Sequence, residues 1–132
     1  MALADIIKGR ERVFALVAQG IENVLAALSA RGVEIDEGIR TRIKRLAGSL
    51  QALDDGIPAL QASVKRAKLD NQKEKEFLAA LGSESRRMKQ LTQSLRKALN
   101  DQSDSTLGEI ARGVRELREV LIGQELRVKK IK

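Results

Sequence analysis

Apolar residues recur along this chain at alternating gaps of three and four. Phe14, Val17, Ile21, Val24 and Leu28 keep that spacing in the first segment, with Ile7 and Val13 leading in. Ile39, Ile43, Leu46, Leu50, Leu53, Ile57, Leu60, Val64 and Ala67 keep it in the second. The phase then runs on through Leu78, Leu81, Met88, Leu95 and Leu99, and a last series follows from Leu107 to Ile131. A mean repeat of 3.5 residues holds such positions on one side of helices that coil around one another, whereas strands need a period of two. The spacing predicts an all-α protein: an antiparallel helical bundle or coiled coil, with one long kinked central helix flanked by two shorter ones.

Local chemistry sets the expected breaks. Helices are predicted over 3–30, 36–100 and 105–130, within a single domain of residues 1–132. Gly32 suits the left-handed position that ends a helix, and Asp36 suits the cap of the next. Thr106 and Glu109 have the spacing of a capping box. Pro58 lacks an amide proton and pushes Ile57 away from helical angles, yet Leu53, Ile57 and Leu60 stay in phase, so a kink is expected at 55–58. Near Asp70 the signals conflict. Asn71 and Glu74 have capping-box spacing in a polar run, but the apolar phase crosses the site unbroken.

Two architectures follow. A single helix over 36–100 would be about 97 Å long at 1.5 Å per residue, and the resulting thin rod would need a second chain. A reversal near Asp70 would instead make four helices of a compact up-and-down bundle. The unbroken phase favours the elongated, self-associating form. Asn71, Glu74, Ser85, Thr92 and Gln124 stand at polar positions of the seam, where one buried polar residue fixes register at some cost in stability. The mid-helix glycines are read as sites of close helix approach or plain tolerance.

Composition narrows the chemistry. The 132 residues are 42% hydrophobic and 33% charged, with two Phe and no His, Cys, Trp or Tyr. Disulfides, thiolate and imidazole catalysis, and Cys/His zinc sites are excluded. Glu116 and Glu119 share a helix face with Arg112 and Arg115 four residues before them, the spacing of ordinary ion pairs. No glycine-rich phosphate loop occurs, so an enzyme is not expected and no cofactor is implied. The acidic Asp5 near the start, and Gln19, Glu22 and Asn23 within the most apolar stretch, argue against a signal peptide or a spanning helix. The acids of the first helix also argue against membrane-surface binding. A cytoplasmic protein is expected.

Charge is the strongest functional signal. The net charge is +7, and the window from Lys65 to Lys97 accounts for +6 of it. Within that window Lys65, Arg66, Lys68, Arg86, Arg87, Lys89, Arg96 and Lys97 form a candidate stripe for nucleic acid or an acidic protein surface. Arg40, Arg42, Lys44 and Arg45 make a smaller cluster. Phe14 and Phe77 sit near seam positions, which leaves no exposed aromatic for base stacking. The expected function is a non-enzymatic module for protein–protein interaction or self-assembly. Its seam would be Ile39, Ile43, Leu46, Leu50, Leu53, Leu60, Val64, Leu78, Leu81, Leu95 and Leu99, and its expected partner a second copy. The alternative is sequence-nonspecific binding of the nucleic-acid backbone through the stripe.

Overall fold

A computed structural model describes residues 3–31 and 35–131, with the side chains of Ala30, Arg31, Lys129, Lys130 and Ile131 left aside. The proposed Gly32 cap therefore lies outside the described residues, as do Lys132 and the side chains of Lys129 and Lys130. Five helices follow one another: α1 (Leu3–Arg31), α2 (Glu37–Asp55), α3 (Ile57–Arg66), α4 (Asn71–Lys97) and α5 (Asp104–Ile131). No strand occurs among the described residues. α2 and α3 form one arm, so the molecule is a four-membered bundle in which α1 packs on α2 and α5, and α4 on α2, α3 and α5.

The kink stands where Pro58 puts it. Gly56 closes α2 and opens α3 in a right-handed conformation (φ −80°, ψ −9°), with Pro58 in the first turn of α3. Asp36 caps α2 by accepting the Ile39 amide at 2.8 Å. The start of α5 differs from expectation. Ser103 rather than Thr106 precedes the helix, and its carbonyl accepts the Leu107 amide. Thr106 is fully buried and donates its hydroxyl to Asp101 at 2.9 Å instead of acting as the cap. Asp101 also accepts the Ser103 amide, and these hydrogen bonds to the charged form hold its carboxyl below the usual carboxylate range.

The central segment is not one helix from 36 to 100. After α3 the chain turns through Ala67–Asp70, where Lys68 adopts a left-handed conformation (φ 54°). Asp70 then caps α4 by accepting the Lys73 amide at 2.9 Å. α4 runs back along α2 and α3, which makes the compact bundle rather than the rod. Unbroken phase failed to exclude this reversal because the apolar stripe of α4 is wider than a two-helix seam. One row, Phe77, Glu84, Leu91 and Ala98, is buried beside the row Leu78, Ser85, Thr92 and Leu99, with Leu81, Met88 and Leu95 between them. A bundle helix touches two neighbours and needs this broader stripe. With two adjacent rows available, one of them continues almost any phase.

The core is divided. Phe14, Ile21, Ile43, Leu50, Met88, Leu95, Ile110 and Leu117 belong to a large cluster drawn from α1, α2, α4 and α5. Ile7, Ile57, Leu60, Val64, Phe77, Leu81 and Val128 form a smaller one at the α3 end. Between them lies a polar layer. Glu84 is fully buried and accepts from Arg10 Nη1 at 2.7 Å and from Gln124 Nε2 at 2.9 Å. Arg10 Nη2 donates to the Leu53 carbonyl at 2.6 Å, at the end of α2 where the kink interrupts the helical ladder. Every arm of the bundle thus supplies one group to the layer. A charge in this position is tolerable only because it is paired and hydrogen-bonded.

Candidate functional site

Reversal at Asp70 rearranges the charges. The designated stripe does not survive as one surface. Lys65 and Arg66 end α3, and Lys68 lies in the turn beyond it. Asp70, Glu74 and Glu76 accompany them there, and Lys73 lies 3.9 Å from Asp70. Arg87 points toward α5, where it pairs with Glu116 at 2.5 Å. What remains is the second half of α4. From Ser85 to Asn100 the sequence carries Arg86, Arg87, Lys89, Arg96 and Lys97 and no carboxylate.

The antiparallel fold sets that half beside the start of α2. Register is fixed by Asp54 of α2, which accepts the Ser85 hydroxyl at 2.6 Å and lies 3.9 Å from Lys89 Nζ. Arg40, Lys44, Ala47, Gln51 and Asp54 follow one another at three- and four-residue steps along α2, and Ser85, Lys89, Thr92 and Arg96 do so along α4. Counting ten residues back from Asp54 and ten forward from Ser85 brings Lys44 level with Leu95 and Arg96, with Arg40 one turn further along α2. Residues 37–50 of α2 carry Arg40, Arg42, Lys44 and Arg45 against Glu37 alone. The two cationic clusters, some 40 residues apart in sequence, thus become one face.

Several cations elsewhere are already paired. Arg10 is committed to Glu84, Arg118 to Glu22 at 2.9 Å and Arg127 to Glu76 at 3.6 Å. The groove between α4 and α5 sets Arg87, Lys97 and Arg112 among Glu109 and Glu116, so most of its charge is offset. Arg40, Lys44, Arg86 and Arg96 form no ion pair with any described residue, a condition shared by Lys8, Arg12, Lys65, Arg66 and Arg115 elsewhere. Lys44, Arg86, Lys89, Arg96 and Lys97 are exposed and Arg40 is half-buried.

Seam residues occupy the chain's own interior. Ile39, Ile43, Leu50, Leu53, Leu60, Val64, Leu81 and Leu95 are buried, and Leu46, Leu78 and Leu99 are part-buried against the same clusters. Phe14 and Phe77 are buried as well, so neither presents a ring to a nucleobase. No group of three potential metal-ligating side chains occurs among the described residues. Leu3–Ser29 of α1 is long and apolar enough to cross a membrane by length and composition, and 33% of its most apolar stretch is buried within the bundle. No family model, no curated protein and no solved structure matches the chain.

Sequence reading missed two things. Arg40 and Lys44 were legible as a cluster but not as lying across from the end of α4, because only the turn at Ala67–Asp70 joins them. Arg10 and Glu84 stood at three- and four-residue steps between apolar positions (Ile7 and Phe14, Leu81 and Met88), the one signal that either was internal.

Proposed function

We propose that this chain is a non-enzymatic helical module that binds the phosphate backbone of nucleic acid through the α2/α4 face. The observation that carries the reading is the convergence of Arg40, Lys44, Lys89 and Arg96, with Arg86 beside them, on a flank whose carboxylates are few, Asp54 beside Lys89 among them. Paired antiparallel helices hold these cations on a rigid support, and displaced counterions supply the driving force. Burial of both Phe rings leaves backbone contact rather than base stacking as the mode of binding. Self-assembly through the long apolar seam is the weaker reading, because the chain's own core already occupies that seam.

Fluorescence anisotropy with a short duplex DNA tests this. Four phosphate contacts give a log–log slope against salt of about −3.6. Arg40→Glu combined with Arg96→Glu should flatten that slope by roughly 2 and weaken binding about equally on unrelated sequences. Lys73→Glu combined with Lys75→Glu, at the other end of α4, should change it far less. Absence of binding at low salt would overturn the proposal.

A further inference from the structure

The surface of α1 is built differently from the rest of the molecule. From Val13 to Ser29 its only charged residue is Glu22, which is already paired with Arg118. Leu16, at 76% exposure, and Val13, at 45%, stand in this uncharged stretch. The other large exposed apolar residues, Ile122 and Leu126, sit on α5 among Glu119, Glu125 and Arg127. Gly9, Val13, Leu16 and Gly20 follow at steps of four, three and four, so they form one row along α1. That row borders α2, since a Cβ on Gly20 would meet Leu46 Cδ2 at 2.8 Å.

We propose that two copies of this chain associate through α1, in an antiparallel crossing centred on Val13 that seats Leu16 of each copy over Gly9 of the other. Two observations select a second copy as the occupant. The row is self-complementary: Leu16 projects one turn from Val13 on one side, and Gly9 lies one turn away on the other with open space around it. A two-fold crossing pairs each projection with each gap. Its ends match too. Exposed Asp5 of one copy falls level with Gly20–Ile21 of the other, where Arg42 and Arg45 rim the neighbouring α2.

Light-scattering mass and sedimentation velocity of the full chain over a concentration series test the proposal. The mass should rise toward twice that of the chain. Leu16→Glu should weaken association by roughly tenfold or more, since it removes a buried apolar side chain from both sides of the contact. Its circular dichroism should not change, because Leu16 touches little of its own fold. Gly9→Gln should act in opposite directions at once. It should raise the thermal stability of the dilute monomer by replacing a mid-helix glycine, yet weaken association by filling the seat. A mass that stays monomeric throughout would overturn the proposal, as would a dimer indifferent to both substitutions. So would a monomer that binds uncharged phospholipid vesicles through Leu16, which would make the face a membrane contact.

Discussion

The two hydrophobic clusters lie on either side of the Arg10–Glu84–Gln124 layer and are unlike in size and support. The larger draws nineteen buried residues from four long helices. The smaller has seven, and one of its walls is the ten-residue α3, hemmed between a kink and a left-handed turn. Helices that short gain little from their own hydrogen bonds and depend on packing. The polar layer interrupts apolar contact between the clusters, so order in the larger one does not pass to the smaller through packed side chains. The layer is thus both a clamp and a boundary: it ties all four arms at one level while leaving the α3 end the less stable half.

The sharpest way to break this division is to strand the buried charge. Arg10→Met leaves Glu84 without its cation and should cost about 3–5 kcal/mol in denaturant unfolding. Replacing Arg10, Glu84 and Gln124 together by Met, Met and Leu should return that loss, and joining the clusters should slow amide exchange in α3. Apolar truncation probes the halves separately. Leu50→Ala in the larger cluster should fall near the top of the usual range of about 2–5 kcal/mol, and Leu60→Ala near the bottom, because α3 can settle into the space it leaves. A reversed order of these two losses, measured by urea titration, would undo the comparison.

Smaller effects sharpen it at the edges. Lys68→Gly removes the cost of a side chain in the left-handed region and should stabilise the α3 end by about 1–2 kcal/mol, read from the same titrations. The smallest effect lies at the opposite end of the bundle. Asp101 has a lowered folded-state pKa, so its contribution is present above its unfolded value and is lost as pH falls through the folded one. Asp101→Ala should therefore destabilise the protein at neutral pH and converge with the parent in acid, followed by thermal unfolding across that range.

Much of this was legible along the chain because helical burial follows a short period. Residues from Ile39 to Val64 announced their inward face, and Pro58 its kink, through backbone chemistry that acts within one turn. The capping of α5 was misplaced by three residues because Ser103 and Thr106 both offer a hydroxyl there. Burial of Thr106 and its bond to Asp101 decide between them. Glu84 illustrates the harder case. Its step from Leu81 and to Met88 suits an inward position, but so does that of Ser85. Only partners on other helices, Arg10 and Gln124, make burial of the charge affordable.

Period, caps and the proline kink thus determined the helices and which side of each is apolar, since those are properties of neighbours in sequence. The direction of the chain after Ala67 was decided by tertiary packing, because a stripe wide enough for two neighbours fits a reversal and a straight helix alike. That one turn brings Lys44 level with Arg96 and closes the seam upon itself. Proximity between distant residues is a property of the folded whole, and the α2/α4 cationic face is made of it.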